Sequence, residues 1–186
     1  SGSVKMTSIF GAPLIDINIA IMPQWQKSLK RIIDILVSVI AMIILLPVYI
    51  SLSVLVKLSS PGPIFFRQER VGLHKKTFNI IKFRTMYIDS EKDGPQLSSE
   101  FDKRITPIGR FLRKTRLDEI PQFWNVLVSD MSLVGPRPER QFYIDKIMLE
   151  APHYQYLHKV QPGITSWGQV KFGYAENVEQ MVQRLK

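Results

Sequence analysis

An uncharged, apolar segment of 22 residues, Ile35 to Val56, constrains this chain more than any other feature. A helix rises about 1.5 Å per residue, so a segment of this length could cross a bilayer core of about 30 Å. A buried core helix of a soluble protein is the alternative, but such helices rarely run about six turns without a polar face. No small-residue cleavage site follows, and the run is too long for a secretory signal peptide. We therefore expect the segment in a membrane.

Two features of this segment leave its path open. Pro47 lies near its middle, where a proline removes one backbone hydrogen bond and kinks or breaks a helix. Basic residues flank both ends of the segment: Lys27, Lys30, Arg31 and Lys57. An excess of Lys and Arg usually marks the cytoplasmic end of a membrane segment, and here both ends carry it, so the charges do not indicate how the segment is oriented. A kinked spanning helix and a re-entrant helix that returns to the same face both fit. Asp34, one turn inside the entry, then requires an interfacial position or a partner such as Arg31.

The composition restricts the function classes. The 186 residues suffice for one domain of ordinary size. Lys and Arg total 25 against 16 Asp and Glu, and the net charge of +9 indicates an anionic partner: nucleic acid, a membrane surface or a phosphorylated substrate. A hydrophobic content of 45% excludes a disordered basic tail. The absence of cysteine excludes a disulfide scaffold, a thiol nucleophile and any cysteine-based metal site.

After the apolar segment the sequence alternates as strands do. Ile64–Arg70 and Thr77–Met86 are predicted to form an antiparallel hairpin. Lys82 and Arg84 are two residues apart, so we expect both on one cationic face, with the neighbouring apolar residues on the other. Residues 87–103 are polar and are predicted to form a long mobile loop. That loop is acidic but lacks the ligand spacing of a calcium site.

A basic helix is predicted next. Thr106 followed by Pro107 is a good helix start, an N-cap residue before proline at the first helical position. No acidic residue occurs from position 103 to 116, whereas six basic residues do. Arg110, Arg113 and Lys114 share one face of the helix. A solvated charged face is the plain interpretation, but the nearby membrane segment favours contact with anionic headgroups or a phosphate substrate.

Two adjacent carboxylates follow the basic helix. Pro121 fits only the first turn of a helix, so we expect a helix to begin at or near Asp118. The helix dipole would then keep at least one of Asp118 and Glu119 ionised. Capping is the common role of such a pair. An ionised aspartate among arginines is alternatively a magnesium ligand or a nucleophile toward phosphorus.

A second candidate for phosphate binding is Arg137, between Pro136 and Pro138. The flanking prolines fix its backbone, which suits bidentate presentation to a phosphate, although a structural turn fits equally well. The sequence lacks both the P-loop and the dinucleotide-binding glycine pattern. It also lacks helix-compatible histidine pairs and any zinc-finger, RNP or helix-turn-helix signature, so we predict no nucleic-acid partner.

Together these stretches resemble the bacterial sugar transferase family, the monotopic polyprenol-phosphate phosphoglycosyl transferases. Six stretches in family order across residues 30–170 carry the resemblance, and six in register are hard to obtain by chance. They are Lys30–Asp34 (KRIID) with Pro47, Ser60–Gly72 (SPGPIFFRQERVG), Lys82–Met86 (KFRTM), Leu117–Gln122 (LDEIPQ), Gly135–Pro138 (GPRP) and Gln161–Thr165 (QPGIT).

The resemblance implies an activity. Such enzymes transfer a sugar 1-phosphate from a nucleoside diphosphate sugar, usually a UDP-sugar, to polyprenol phosphate, which is the first membrane step of polysaccharide or glycoconjugate assembly. By resemblance Asp118 is the nucleophile that becomes linked to the phosphosugar, and Glu119 completes an acidic dyad. Mg²⁺ is implied, with Asp118 as its protein contact. Phosphate binding is expected from four cations: Lys82, Arg84, Arg113 and Arg137.

The resemblance also implies an architecture. We expect an α+β fold, mainly helical with a small antiparallel sheet, a re-entrant membrane helix kinked at Pro47, and interfacial amphipathic helices. The enzyme is expected at the bacterial inner membrane with its catalytic domain on the cytoplasmic face. Residues 1–3 read as a scar of tag removal, 4–29 as a linker, 30–58 as the re-entrant helix and 59–186 as a catalytic domain truncated at its C-terminus. The oligomeric state is not indicated.

The sequence departs from the family at one point in the membrane segment. The family often has a serine before the proline, whereas Leu46 stands here, and Ser51 is the nearest hydroxyl that could satisfy a freed carbonyl. The alternative function that these residues leave open is a membrane-anchored module that binds anionic lipid or nucleic acid without catalysis.

Overall fold

The computed structural model describes residues 6–9, 12–15, 22–90, 94, 96, 98, 102–173 and 177–183. The chain divides into two compact units, residues 1–33 and 34–186. In the first unit, strands β1 (Met6–Ile9) and β2 (Ala12–Ile15) pair antiparallel. The expected scar at residues 1–3 lies outside the described residues, and so does part of the polar loop predicted over 87–103.

The apolar segment forms two helices with a break between them. Helix α1 (Gln24–Ile44) and helix α2 (Leu46–Ser59) meet at Leu45 and bend by 63°. Pro47 is the second residue of α2, where its missing N–H would have no partner within the helix in any case. Among the described residues no single helix is long and apolar enough to cross a membrane, whereas this bent pair is, by length and composition. The predicted break at Pro47 is therefore confirmed.

Asp34 is buried within α1 and bonds to a distant strand. Its Oδ2 accepts a 2.7 Å hydrogen bond from the hydroxyl of Ser132, and its Oδ1 accepts one of 3.2 Å from the amide of Leu133. Those residues belong to β5 (Ser132–Val134), which pairs in parallel with β6 (Gly163–Thr165). Asp34 thus has partners about 100 residues away, in addition to the nearby Arg31 that the sequence suggested as a partner.

The predicted hairpin is confirmed. Strand β3 (Phe65–Val71) pairs antiparallel with β4 (Thr77–Phe83), with Phe66 opposite Lys82. The second strand ends three residues earlier than predicted, at Phe83. Beyond it the chain turns away, and Met86 bridges to Ile105 instead.

The basic helix also begins where predicted. Helix α3 spans Pro107–Thr115, and the amide of Gly109 donates to the Thr106 side chain at 3.0 Å, as an N-cap requires. Arg116 ends the helix in the left-handed conformation, at φ 60°. The following turn is therefore separate from α3.

The helix expected at Asp118 begins later, which corrects the prediction. Leu117–Glu119 form a 3₁₀ turn, closed by the Ile120 amide donating to the Leu117 carbonyl at 3.4 Å. Helix α4 (Gln122–Leu127) starts only after Pro121, because proline has no N–H to donate back into the preceding turn. The two carboxylates thus precede the helix rather than cap its first turn.

Helices pack against the β3–β4 hairpin, and the described residues of both form three apolar clusters. One cluster joins α2, β4 and α3 through Leu52, Val56, Phe83 and Leu112. A second joins β4 to α4 through Ile80, Val126 and Met131. The third packs the end of β3 against the remaining C-terminal elements: α5 (Gln141–Glu150), a 3₁₀ helix (Pro152–Lys159) and α7 (Val178–Gln183). The short helix α6 (Trp167–Phe172) follows β6. A mainly helical α+β fold with small sheets is confirmed, and the parallel pair β5–β6 is an addition to it.

Candidate active site

Glu119 is the centre of a cationic cluster. Its Oε1 accepts from Arg137 Nη2 at 2.7 Å and from Lys82 Nζ at 3.3 Å, and it forms a longer ion pair with Arg116 at 3.5 Å. The Glu119 side chain is buried. Burial alone would raise its pKa, but the charges of Arg137 and Lys82 outweigh this effect and hold the pKa far below its ordinary value. Glu119 is therefore held in its anionic form, and three cationic side chains lie around its carboxylate.

Asp118 is also buried, but its surroundings are different. Its Oδ1 is enclosed by protein and has no hydrogen-bond partner. Burial raises the pKa of this carboxyl, and neighbouring Glu119 adds to the rise, while Lys82 and Arg113 act against it. A carboxylate with an unsatisfied oxygen beside several cations is suited to attack an electrophile or to bind a cation.

Two of the four predicted cations flank this carboxylate from separate elements. Lys82 extends from β4, and burial lowers the pKa of its ammonium to about 8, although Glu119 acts in the opposite direction. Arg113 lies in the last turn of α3, and its Nε donates to Thr85 Oγ1 at 2.9 Å while Nη1 donates to Ser98 Oγ. The structure therefore brings Lys82 and Arg113 to Asp118, as the sequence predicted.

Arg137 is held by a loop fastened at both ends. The amide of Val71 donates to the Glu139 carbonyl at 3.0 Å, and the amide of Gly163 donates to the Pro136 carbonyl at 2.9 Å. Half-buried Arg70 and buried Glu139 form an ion pair at 3.0 Å directly beside the loop. These contacts, together with the prolines, present the Arg137 guanidinium to Glu119.

Arg84, the fourth predicted cation, lies outside this cluster. Its guanidinium is buried and donates to the carbonyls of Val56, Ser60 and Pro61 at 3.3, 2.6 and 3.0 Å, and to Ser60 Oγ at 3.0 Å. The strand ends at Phe83, so the alternation that placed Arg84 beside Lys82 stops one residue too early. Through these contacts Arg84 fastens the C-terminal end of α2. It also lines the cleft described below, so its role in phosphate binding stays a prediction.

The structure adds residues that sequence reasoning missed. Arg116 was counted in the basic run but was not placed at the site, because its left-handed backbone breaks the helical spacing. The side-chain amide of Gln169 also reaches the cluster; with its oxygen turned to Arg116 it accepts from both terminal nitrogens, at 3.0 and 3.1 Å. Gln169 lies in α6, far along the chain, and only the tertiary fold reveals its position.

A cleft of about 370 Å³ opens onto these groups. Its polar lining includes Lys82, Arg84, Arg113, Asp118, Arg137 and Gln169. Its apolar part is lined by Pro63, Phe65, Phe66, Tyr87 and Ile88. Pro63, Phe65 and Phe66 follow shortly after α2, which ends at Ser59. The cleft therefore extends from the carboxylates toward the end of the apolar helices. A volume of this size accommodates a small-molecule substrate.

The residues of the cleft suit one kind of metal site. The described residues include no group of three or more His, Asp or Glu side chains that could enclose an ion. Glu119 is committed to its cations, which leaves the carboxylate of Asp118, a residue that lines the cleft, as the acidic group available to an ion. Mg²⁺ is commonly held by one or two carboxylates together with substrate phosphates, and this donor set fits that arrangement.

Comparison with known proteins gives consistent matches. The family model described as bacterial sugar transferase matches residues 25–186. A UDP-N-acetylgalactosamine-undecaprenyl-phosphate N-acetylgalactosaminephosphotransferase of Aeromonas hydrophila is 48% identical over 151 residues, covering 81% of this chain and 36% of that protein. A UDP-glucose:undecaprenyl-phosphate glucose-1-phosphate transferase of Escherichia coli (strain K12) is 36% identical over 185 residues, covering 98% and 38%. An undecaprenyl-phosphate glucose phosphotransferase of Komagataeibacter xylinus is 40% identical over 159 residues, covering 83% and 30%. The chain thus spans about a third of the length of these relatives.

Proposed function

The chain belongs to the bacterial sugar transferase family, as its six motifs predicted, and we propose that it transfers a sugar 1-phosphate from a UDP-sugar to undecaprenyl phosphate. The relatives' names share this acceptor but differ in the sugar, N-acetylgalactosamine in one and glucose in the others. We therefore propose the transfer to undecaprenyl phosphate that the relatives share, and no particular sugar. Such a transfer is the first membrane step in the assembly of a bacterial glycan.

This proposal rests on the surroundings of the Asp118 carboxylate. It has a buried oxygen without a partner, faces a cleft of suitable size, and lies beside Lys82 and Arg113. The cations lower the repulsion between a carboxylate and a diphosphate, and they stabilise the charge that develops on the departing phosphate. Glu119 keeps Lys82 and Arg137 in place without competing as a nucleophile, because its own oxygen is bonded to them.

The first step is a displacement at phosphorus. An oxygen of the Asp118 carboxylate attacks the β-phosphorus of the UDP-sugar, and the bond from that phosphorus to the bridging oxygen breaks. UMP leaves with the electron pair of that bond, and Asp118 carries the sugar phosphate as a mixed anhydride. Lys82, Arg113 and Arg137 are the residues that would bind the phosphate oxygens during this step.

The second step releases the product. A phosphate oxygen of undecaprenyl phosphate attacks the same phosphorus, the bond to Asp118 breaks, and the carboxylate is restored. The Asp118 carboxylate is the group that would hold Mg²⁺, which when bound would supply Lewis-acid neutralisation of the diphosphate. Because the two substrates react in turn, the mechanism predicts ping-pong kinetics.

We also propose that α1 and α2 form a re-entrant membrane hairpin. The two helices bend by 63°, and both expose large apolar side chains, which a bilayer would cover. The exposed residues include Val39, Ile40, Ile43, Ile50 and Val54. A hairpin of this kind would hold the cleft at the headgroup plane of the cytoplasmic membrane, on its inner face, where the charged end of undecaprenyl phosphate lies.

The catalytic proposal is tested by trapping the intermediate. Protein in nanodiscs with Mg²⁺ is mixed with a panel of UDP-sugars without acceptor, and the mass of the intact protein is measured. We expect a gain of one sugar phosphate and one equivalent of UMP, and then discharge on addition of undecaprenyl phosphate. Asp118→Asn should lose both the adduct and UMP release, while Asp145→Asn, the same change at an exposed position on α5, should retain them.

Two results would contradict this proposal. Equal adduct formation by Asp118→Asn would remove Asp118 as the nucleophile. No UMP release by the wild-type chain with any donor would instead support the alternative of a non-catalytic membrane module.

The re-entrant path has its own test, because the chain has no cysteine to interfere with labelling. Single cysteines are placed at exposed Lys27, in the first turn of α1, and exposed Leu58, near the end of α2. In sealed, oriented vesicles a membrane-impermeant maleimide should label both positions from the same side. Labelling from opposite sides would show a spanning helix instead.

A further inference from the structure

A tyrosine of the apolar hairpin reaches the turn that carries the two carboxylates. Tyr49 lies in the first turn of α2, and its hydroxyl donates a 2.6 Å hydrogen bond to the backbone carbonyl of Ile120. Ile120 directly follows Glu119 and ends the 3₁₀ turn that holds Asp118. The two bonded residues are 71 positions apart in the sequence. This contact therefore links the bend of the membrane hairpin directly to the backbone of the candidate active site.

The side chains around this hydrogen bond pack the same two elements together. The ring of Tyr49 lies 5.7 Å from that of Phe83, which in turn stacks on Phe65 at 5.3 Å. Leu117, the residue before Asp118, packs against the apolar cluster of α2, β4 and α3. The turn is thus held by apolar contact on its first residue and by the Tyr49 hydroxyl just after its last.

A displacement of the Ile120 carbonyl would move the turn that carries the two carboxylates. It also accepts from the Phe123 amide at 3.2 Å, so it joins the 3₁₀ turn to the start of α4. Asp118 has no hydrogen bond on Oδ1 that could fix its position independently. Its placement depends on the backbone of the turn, and the Tyr49 hydroxyl restrains that backbone.

We propose that Tyr49 is a positioning residue for the nucleophile, and that through it the seating of α2 determines the geometry of Asp118. This inference rests on the proposed function for its kinetic consequence. The hydroxyl fixes the carbonyl of Ile120, the turn then holds the Asp118 carboxylate at the attack position, and substrate binding is left to the cationic residues. The loss of the hydroxyl should therefore slow adduct formation and leave the affinity for the UDP-sugar unchanged.

The test variant is Tyr49→Phe, which keeps the ring and its packing on Phe83 and removes only the donor. Ser53→Ala is the matched control: it also deletes a hydroxyl of α2, one that donates to the Tyr49 carbonyl at 2.7 Å within the helix. Single-turnover adduct formation is followed in nanodiscs as a function of UDP-sugar concentration. We expect the maximal rate of Tyr49→Phe to fall about 10-fold, the magnitude of one lost hydrogen bond, with the half-saturating concentration unchanged. Ser53→Ala should react like wild type.

A second measurement does not depend on catalysis. Amide hydrogen exchange is recorded for a peptide covering residues 117–124 in the substrate-free protein. Tyr49→Phe should exchange faster there than wild type, with no change in a peptide from α5, whereas Ser53→Ala should match wild type throughout.

The outcomes separate the two proposals. A wild-type rate and wild-type exchange in Tyr49→Phe would overturn the positioning role while leaving the proposed function intact. An increase in the half-saturating concentration with an unchanged maximal rate would also overturn it, because the hydroxyl would then serve binding. No adduct in the wild type would refute the proposed function and with it the kinetic part of this inference, whereas the exchange result would still decide the structural part.

Discussion

The Asp34 carboxylate in α1 accepts a 2.7 Å hydrogen bond from the hydroxyl of Ser132 in β5, 98 residues away. Other polar contacts also join the apolar helices to the rest of the unit. Tyr49 reaches Ile120 near the bend, and Arg84 binds carbonyls at the end of α2. Most side chains of these helices are exposed, and the apolar contacts of α2 with β4 and α3 are made by a few residues such as Leu52 and Val56. Directional hydrogen bonds are therefore expected to determine how this pair is seated.

Removing the Asp34 carboxylate should loosen α1. In Asp34→Ala the partly buried Leu133 amide and the buried Ser132 hydroxyl lose a charged acceptor, which costs ~2 kcal/mol of the free energy of unfolding. Asp34→Asn keeps one acceptor oxygen and should lose about half as much. Thermal unfolding in one detergent, followed by circular dichroism, measures the difference. Equal stability of Asp34→Ala and wild type would show that these bonds do not stabilise the fold.

Arg84 should behave as a structural residue in spite of its basic charge. Arg84→Met leaves the carbonyls of Ser60 and Pro61 without their donor, so we expect a loss of about 2 kcal/mol of the free energy of unfolding. Gly62 adjoins this contact, since a Cβ there would collide with the Arg84 guanidinium. Below the unfolding temperature the KM for UDP-sugar should remain near wild type.

Arg137→Met and Arg110→Met provide the controls for Arg84→Met. Arg137→Met should raise KM for UDP-sugar because Arg137 belongs to the cleft, whereas Arg110, exposed on α3, should change neither KM nor stability. A rise in KM for Arg84→Met equal to that for Arg137→Met would restore Arg84 to the phosphate-binding residues.

The local features of this fold could be predicted from sequence because their signals are local. The break at Pro47, the Thr106 cap and the β3–β4 hairpin depend on a few adjacent residues, and all three are found. The strand was predicted to include Arg84 and to end at Met86, whereas it ends at Phe83, and the alternation of its two faces ends there with it.

The site itself could be predicted only in part. Lys82, Arg113 and Asp118 are brought together as expected, from β4, α3 and the turn between α3 and α4. Gln169 and the Ser132 partner of Asp34 were missed, since contacts across tens of residues leave no periodic signal. The helix start at Asp118 was wrong because a helix dipole was assumed where the chain forms a 3₁₀ turn. The low pKa of Glu119 comes instead from the charges of Arg137 and Lys82.

Lys82 should set the alkaline limit of activity. Burial lowers the pKa of its ammonium to about 8, so its positive charge is lost as the pH rises through that value. If the charged form binds phosphate, kcat/KM for UDP-sugar should fall above pH 8. Lys82→Arg keeps the charge at every accessible pH and should extend the plateau upward, at a lower maximal value because the guanidinium is larger. An alkaline limit at the same pH in both proteins would exclude Lys82 as its cause.

Replacing Glu119 should move the whole pH profile toward acid. The Glu119 anion raises the pKa of Lys82 and also raises that of Asp118, so its removal lowers both. In Glu119→Gln, Asp118 should ionise at lower pH and Lys82 should lose its charge at lower pH, while the amide oxygen can still accept from Arg137. Profiles of kcat/KM at saturating Mg²⁺ should therefore shift at both limbs, with a reduced maximum because the cations lose their central anion. Glu150→Gln, at an exposed position on α5, should leave both limbs unchanged, and a shift of the Glu119→Gln profile toward alkali would contradict the assigned charges.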